Sequence, residues 1–215
     1  MAIKAILFDF DGVILDSLDV KTQAFYDMYL PYGKDVAEKA ARHHIEHGGI
    51  SRFEKFKIYH SQFLGIELSS EEIDQLAHQF SDIVFHKVIA SNEVKGIREF
   101  LDHARHKYKM WVITGTPTVE IVEICKATQF TQYFQHLYGS PEKKDYWTKK
   151  ILTEENLTPE EVLFIGDATT DYDAAMANNV PFILREHSDN LEFFRDKEVI
   201  RIKDFVGFDK IIESI

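Results

Sequence analysis

The stretch that decides the fold is Ile6–Ser17, ILFDFDGVILDS, in which an apolar run leads directly into two aspartates. The run has the composition of a buried strand, and the strand leads directly into the aspartates and Gly12. Two carboxylates a few ångströms apart repel strongly where the dielectric constant is low, so they normally share a cation or a proton. Asp9 and Asp11 therefore predict a divalent-cation site at the end of a buried strand.

Two other interpretations of the aspartate pair fit less well. A surface turn could use Asp as a turn-forming residue, but an apolar strand that runs directly into the pair disfavours it. A calcium loop of the EF-hand type has its glycine at the sixth position, whereas the glycine of DFDG is the fourth residue.

Composition excludes several classes of protein. The 215 residues are 45% hydrophobic, enough for one domain or for one domain with a smaller inserted one. A formal net charge of −11 argues against a nucleic-acid partner, and an anionic substrate would need a local cationic site. The sequence has no apolar stretch of transmembrane length, no secretory leader pattern at its start, and a single cysteine, Cys125. We expect a cytoplasmic protein without a membrane partner; its oligomeric state is left open.

Strand-like and helix-like segments alternate through most of the chain, which predicts a parallel α/β sheet. Thr116-Pro117 has the pattern of a helix start, with the helix extending through Lys126, and Thr158-Pro159 repeats that pattern with Glu161 as the capping-box residue. The predicted strands are Ala5–Phe10, Met110–Thr114, Val162–Gly166, Pro181–Leu184 and Val199–Ile202.

Residues 17–90 interrupt this alternation with helical patterns and no convincing strand. Ser69 and Glu72 form a capping-box pattern before an apolar stripe of helical period, which predicts a packed helix. We therefore predict an inserted all-helical domain at 17–90 and an α/β core built from 1–16 and 91–215. Both junctions fall beside the turn at Asp9, so the inserted domain could cover that site.

Three further stretches carry the groups that phosphoryl transfer needs, in an order that matches successive strands. MWVITGT at 110–116 offers a hydroxyl and backbone N–H groups to an oxyanion. GSPEKK at 139–144 supplies a lysine, and GDATTD at 166–171 adds two carboxylates. In combination with the aspartate pair, these stretches are far more specific than any one of them alone.

In these motifs the chain resembles the haloacid dehalogenase superfamily. The four motifs correspond to Asp9 with Asp11, Thr114, Lys143 or Lys144, and Asp167 with Asp171. Lys144 is preferred because it lies three residues after Pro141, a spacing that suits a lysine entering the next helix. The resemblance implies a Rossmann-like parallel core with a helical cap inserted after the first motif, in the subgroup of phosphoglycolate phosphatases and beta-phosphoglucomutases.

The resemblance also implies the catalytic roles. Asp9 would be the nucleophile that becomes an aspartyl phosphate, and Asp11 the acid/base that serves the leaving alkoxide and the attacking water. Thr114 would bind the phosphoryl oxygens together with Gly115 and Thr116, and Lys144 would neutralise charge.

A Mg²⁺ ion is the cofactor that the resemblance implies. Its ligands would be Asp9, the backbone carbonyl of Asp11 and Asp167, with Asp171 positioning either the metal ligands or the lysine.

In the predicted cap, Gly49–Arg52 resembles the substrate-contacting loop of related sugar-phosphate mutases and phosphatases. Arg52 could bind an anionic or polyol end of the substrate, or it could be a surface arginine after a glycine turn. The H-x-x-E-H pattern at 43–47 also occurs in zinc peptidases. We interpret it as coincidental, because no third zinc ligand is identifiable; His44 and His47 are only weak candidates for the cap opening.

The leading expectation is a phosphoric monoester hydrolase that acts on a small phosphorylated metabolite. A phosphomutase is the alternative, and related mutases usually carry a histidine twelve residues after the nucleophile, where this chain has Lys21. A dehalogenase fits the carboxylates less well, and a catalytically inert binding module on the same fold is the alternative from another class.

Overall fold

A computed structural model describes residues 2–215, and they form a six-stranded parallel sheet with helices packed against it. The strand order is β3-β2-β1-β4-β5-β6, and the predicted α/β fold class is confirmed. The strands are β1 (Ala5–Phe8), β2 (Lys109–Pro117), β3 (Leu137–Ser140), β4 (Val162–Gly166), β5 (Phe182–Arg185) and β6 (Ile200–Ile202).

The helices of the described chain fall into two groups along the sequence. Before β2 they are α1 (Leu18–Tyr29), α2 (Lys34–Glu46), α3 (Arg52–Ile58), α4 (Ser70–Ile89) and α5 (Ile97–Ala104), with a π-helical turn at Tyr59–Leu64. After β2 they are α6 (Thr118–Ala127), α7 (Lys144–Glu154), α8 (Thr169–Ala177) and α9 (Phe208–Ile212). None of these described helices has both the length and the apolar character needed to cross a membrane.

The central strand β1 is buried on both faces, as its unbroken apolar run predicts. Successive side chains of a strand point to opposite faces, so Ile6 and Phe8 join one hydrophobic cluster while Ala5 and Leu7 join another. The first cluster continues from the sheet into the helical segment, where it includes Phe25 of α1. The sheet and the helices of residues 18–89 thus share one apolar interior.

Two predicted helix starts are wrong in detail. Thr116 and Pro117 belong to β2, which extends past its predicted end because Pro117 pairs with Ser140 after a register shift; α6 begins only at Thr118. Glu161 does accept the backbone N–H of Thr158, as in a capping box, but the turn is a single 3₁₀ turn. The chain enters β4 at Val162, so there is no length for a helix.

The helical segment before β2 contains the packed helix that Ser69 and Glu72 predict. The Ser69 hydroxyl accepts the backbone N–H of Glu72 at 3.3 Å, and the Glu72 carboxylate accepts that of Ser69 at 2.8 Å. Four residues of the predicted stripe are buried, Leu76 and Ile83 are half-buried, and Val88 is buried as well. The four are Ile73, Ala77, Phe80 and Val84.

The chain leaves and re-enters the sheet region through two adjacent links. The backbone N–H of Asp16 donates to Asn92 O at 2.8 Å, and that of Val94 donates to Ile14 O at 3.0 Å. These two bonds join the links side by side a few residues from Asp11. The exact domain boundaries, residues 17 and 90, stay a prediction.

Candidate active site

Polar side chains from four strands meet at the carboxyl edge of the sheet. Asp9 follows β1, Thr114 lies in the last part of β2, and Asp167 follows β4. Lys144 is the first residue of α7, shortly after β3. All four are buried. The strands β1 and β4 are neighbours at the point where the strand order reverses direction, the usual ligand site of an open parallel sheet.

Three carboxylates form a compact group at this edge. One oxygen each of Asp9, Asp167 and Asp171 lies within 4.8 Å of the others. Burial and the negative charge of Asp171 raise the pKa of Asp9 to about 7, against the opposing effect of Lys144. Burial also raises the pKa of Asp167 and that of Asp171. A bound cation would offset the repulsion among these carboxylates and favour their ionised forms.

The donor set fits a hard divalent cation such as Mg²⁺, which prefers carboxylate oxygens. Asp9 Oδ1 is buried and accepts no hydrogen bond of regular geometry from the described residues. It lies in an ion pair with Lys144 Nζ at 3.1 Å, and a carboxylate oxygen has a second lone pair that can bind a cation. The side chain of Asp11 is outside this group of carboxylates. Asp11 is predicted to bind the metal through its backbone carbonyl oxygen instead.

Lys144 is the motif lysine that the structure brings to the carboxylates. Its Nζ lies 2.6 Å from Asp171 Oδ1 and 3.1 Å from Asp9 Oδ1, whereas Lys143 is exposed. Burial disfavours the Lys144 charge, but Asp171 and Asp9 outweigh it and raise the pKa of Lys144 above its usual value. Lys144 therefore stays charged beside Asp9.

The Asp11 carboxylate has its own set of donors. Ser17 Oγ donates to it at 2.6 Å, Thr116 Oγ1 donates at 3.0 Å, and Lys21 Nζ forms an ion pair with it. Burial would raise the pKa of Asp11, but Lys21 and the two hydroxyls lower it below its usual value. Lys21 also donates to Thr116 Oγ1 at 2.8 Å, so one network fixes Asp11 and the β2 hydroxyl.

Close backbone packing holds the loops of the site together. Gly12 has a φ of +78°, and a Cβ there would lie 2.2 Å from Asp167 Oδ2. A Cβ at Gly115 would lie 2.6 Å from Gly49 O, so the last part of β2 touches the Gly49–Arg52 segment directly. Glycine is required at these contacts because any side chain would displace Asp167 or the facing backbone.

A small cavity lies between this edge of the sheet and the helices of residues 18–89. Its volume is about 80 Å³. It is lined on one side by Asp9 and Asp11 and on the other by Lys21, His44, Arg52 and Lys55.

Residues 6–184 match the sequence profile described as haloacid dehalogenase-like hydrolase. The chain belongs to this family. The hydrolase is 26% identical over 185 residues to a phosphorylated carbohydrates phosphatase of Thermotoga maritima, with 82% of each chain covered. It is 28% identical over 187 residues to a phosphoglycolate phosphatase of Photorhabdus laumondii, covering 84% of this chain and 79% of the relative.

Solved structures agree on the fold. A beta-phosphoglucomutase of Clostridium difficile superposes with a TM-score of 0.77 at 18% identity, over 99% of this chain and 98% of the other. A haloacid dehalogenase-like family protein of Streptococcus pneumoniae gives 0.71 at 22% identity, over 97% and 98%. The family and fold predicted from the four motifs are therefore confirmed.

Arg52 of the hydrolase is buried in an ion pair. Its Nη1 and Nη2 donate to the two carboxylate oxygens of Glu120 at 2.8 and 2.6 Å, and Nη1 also donates to Ser81 Oγ at 2.6 Å. Arg52 lines the cavity, as its predicted role requires, but its fork of donors is engaged with α6. The contact links α3 to the helix that follows β2.

Sequence reasoning did not find two residues that hold Asp167. His187 Nε2 lies 3.0 Å from Asp167 Oδ2, and Asn190 Nδ2 donates to Asp167 O at 2.8 Å and to Arg185 O at 2.9 Å. Both lie after β5, where the sequence has no motif that distinguishes them from ordinary loop residues. The one indication in the sequence is that both residues follow the end of a predicted parallel strand, where ligand-binding residues usually lie.

Three cavity residues were also not assigned a role from sequence. In the sequence, Lys21 stands out only as a departure from the mutase pattern, and no motif marks Lys55. His44 was a weak candidate; it is buried and lines the cavity, and His47 is not among the lining residues. The three pack around Phe25 and Asp11, contacts that depend on how α1, α2 and α3 cross.

Proposed function

We propose that the protein is a Mg²⁺-dependent phosphatase that hydrolyses a small phosphorylated metabolite through an aspartyl phosphate on Asp9. The observation that carries the proposal is the placement of Asp9 between a charged lysine and two further carboxylates at the carboxyl edge of the sheet. Family membership and the names of the two relatives, both phosphatases, support the same reaction.

The metal would be held by Asp9, the backbone carbonyl of Asp11 and Asp167, with Asp171 holding Lys144 in place. When bound, Mg²⁺ supplies positive charge that offsets the carboxylates and stabilises charge on the phosphoryl group. His187 and Asn190 position Asp167 for this role through their hydrogen bonds.

In the first half of the reaction, a carboxylate oxygen of Asp9 attacks phosphorus and the bond from phosphorus to the substrate alkoxide breaks. Asp11, in its protonated form, gives its proton to that alkoxide. Lys144 remains charged beside Asp9 and balances the negative charge that gathers there. Thr114 and the N–H groups of Gly115 and Thr116 bind the phosphoryl oxygens.

In the second half, Asp11 is ionised again and removes a proton from the water that attacks the aspartyl phosphate. Phosphate leaves, and the Asp9 carboxylate is restored. The ion pair of Asp11 with Lys21 favours the ionised form that this half needs. Ser17 and Thr116 keep the carboxylate in one orientation through both halves.

The proposal includes the surroundings of the site. Residues 17–90 act as the cap that covers the cavity. Arg52 binds the substrate once its ion pair with Glu120 is broken. The net charge of −11 supports small phosphorylated molecules as partners rather than nucleic acid. The buried thiol of Cys125 is consistent with a cytoplasmic enzyme.

The decisive experiment is phosphate release from p-nitrophenyl phosphate, with Mg²⁺ and with EDTA. We expect turnover with Mg²⁺ only, and its loss in Asp9→Asn, because an amide is a poor nucleophile at phosphorus. Asp19→Asn is the matched control, since Asp19 is exposed and outside the cavity lining, and it should keep full activity. Turnover retained by a folded Asp9→Asn enzyme would refute the nucleophile assignment.

A phosphomutase is the alternative reaction at the same site, and the fold likeness to a beta-phosphoglucomutase does not separate the two. Incubation with a phosphorylated sugar distinguishes them by product. Free phosphate supports the phosphatase, whereas transfer of the phosphate to another position of the sugar would support the mutase.

A further inference from the structure

Lys55 has an unusual environment for a buried cation. The described chain has four buried lysine and arginine residues, and three of them pair with carboxylates: Lys21 with Asp11, Arg52 with Glu120, and Lys144 with Asp9 and Asp171. Lys55 is 1% exposed and has no carboxylate oxygen within 4.0 Å among residues 2–215. A buried charge without a counter-charge is costly, so an anionic ligand beside Lys55 would favour its charged form.

The surroundings of Lys55 point to an anion. Its Nζ lies 2.6 Å from His44 Nδ1 and 5.5 Å from the centre of the Phe25 ring. It lines the cavity that also holds Asp9, so its side chain borders the space where a substrate must lie. The positive charges of Lys21 and Arg52 act on the same region. This wall of the cavity repels a cationic group and attracts an anionic one.

The pKa shifts of Lys55 and His44 agree with an anionic ligand at this position. Burial, together with the charges of Lys21 and Arg52, lowers the pKa of Lys55 well below its usual value, and Asp11 only partly offsets them. Burial and Lys55 likewise lower the pKa of His44. A neutral imidazole can accept a hydrogen bond from the ammonium group, and an entering anion would favour the charged lysine.

We propose that Lys55, positioned by His44, binds a second anionic group on the alcohol part of the substrate. The inference rests on the proposed phosphatase function and narrows its substrate class to short phosphomonoesters that carry another acidic group close to the ester. The cavity of about 80 Å³ leaves little room for a long chain. A carboxylate and a second phosphate share the required chemistry, and the test separates them.

The test compares three esters that differ mainly at one end. 2-Phosphoglycolate carries a carboxylate, ethylene glycol bisphosphate a second phosphate, and 2-hydroxyethyl phosphate a neutral hydroxyl. We expect wild-type kcat/KM to be higher for one or both anionic esters than for the neutral one. The preferred anionic ester identifies the source of the charge. Equal values for all three would overturn the inference.

The variant Lys55→Met removes the charge and keeps the approximate length of the side chain. A charged hydrogen bond of ordinary strength predicts a loss of roughly 10- to 100-fold in kcat/KM for the preferred anionic ester, mainly through KM. The neutral ester should change by less than about 3-fold, because the lost bond is not made with it. The matched control is Lys57→Met, an exposed lysine on the same helix, which should behave as wild type.

Retained turnover of the neutral ester shows that Lys55→Met has folded. If that variant does not fold, His44→Gln provides the same test, with a smaller loss in the same selective direction because Lys55 is left without its positioning partner. Equal loss on all three esters, or no loss, would overturn the assignment of Lys55. Failure of the wild-type enzyme to hydrolyse any ester, p-nitrophenyl phosphate included, would instead overturn the proposed function and this inference with it.

Discussion

The two walls of the active-site cavity carry opposite charges. The wall formed by the carboxyl edge of the sheet, the sheet wall, is acidic. Among its described buried residues, the one lysine or arginine is Lys144. The helical wall is basic, with Lys21, His44, Arg52 and Lys55. In a protein of net charge −11, such a basic cluster is a local exception. The buried acidic residues of the described chain are Asp9, Asp11, Glu120, Asp167 and Asp171.

This difference shows what each wall lacks. The carboxylates at 9, 167 and 171 outnumber the single positive charge of Lys144, so a bound cation would offset the remaining negative charge of the sheet wall. On the helical wall, Lys21 forms an ion pair with Asp11 and Arg52 forms one with Glu120. Lys55 has no such partner among the described residues. A divalent cation with a phosphorylated acid would complete both walls at once. Binding and charge compensation are then the same event.

The largest effect is expected where the walls meet, at the ion pair of Asp11 with Lys21. Asp11→Asn removes the proposed acid/base, and we expect a loss of about 10²- to 10⁴-fold on alkyl phosphates. Aryl phosphates need less help from an acid because their leaving groups are better, so the loss there should be smaller. Steady-state kinetics on one ester of each kind measures the difference, with Asp19→Asn as control. Equal losses on both would contradict the acid role.

The second contact between the walls is the ion pair of Arg52 with Glu120. Glu120→Leu alone leaves a buried arginine unpaired, which should lower the free energy of unfolding by ~3–5 kcal/mol. Replacing both partners, as Arg52→Met with Glu120→Leu, should recover most of that loss, because an apolar pair avoids the desolvation cost. Chemical denaturation measures all of these values, and Glu123→Leu, at an exposed position of the same helix, is the control.

The same pair of variants tests whether Arg52 touches substrate. If it does, the double variant should regain stability and still show a raised KM for the natural ester. A double variant with both stability and KM near those of the wild-type enzyme would leave Arg52 as a purely structural link between α3 and α6.

The sequence predicted the sheet wall far better than the helical wall. Asp9, Thr114, Lys144 and Asp167 each directly follow or end a strand pattern, and the ends of parallel strands converge whatever the details of packing. Short-range patterns also identified α4 through Ser69 and Glu72. They misplaced the start of α6, because the extension of β2 depends on its pairing with β3.

The helical wall depends on contacts that the sequence does not encode locally. Lys21 lies ten residues from Asp11, and Arg52 lies 68 residues from Glu120. The pairing of Lys55 with His44 requires α3 and α2 to cross with both side chains facing inward. Lys55 and Lys57 look alike in the sequence, yet one is buried in the cavity wall and the other is exposed.

The smallest predicted effect tests whether the basic wall acts as one electrostatic unit. Burial, with added contributions from His47 and Lys55, lowers the pKa of His43 to about 4. The unfolded chain binds a proton at that histidine near pH 6.5, while the folded chain does so only near pH 4, so stability should fall as the pH drops between these values.

Lys55→Met removes one positive charge and should raise the pKa of His43 by a fraction of a unit, since burial remains. Titration of the His43 ring by NMR, assigned with His43→Gln, measures the shift. An unchanged value would mean that Lys55 is uncharged in the free enzyme, and its charge would then arise only when an anion binds.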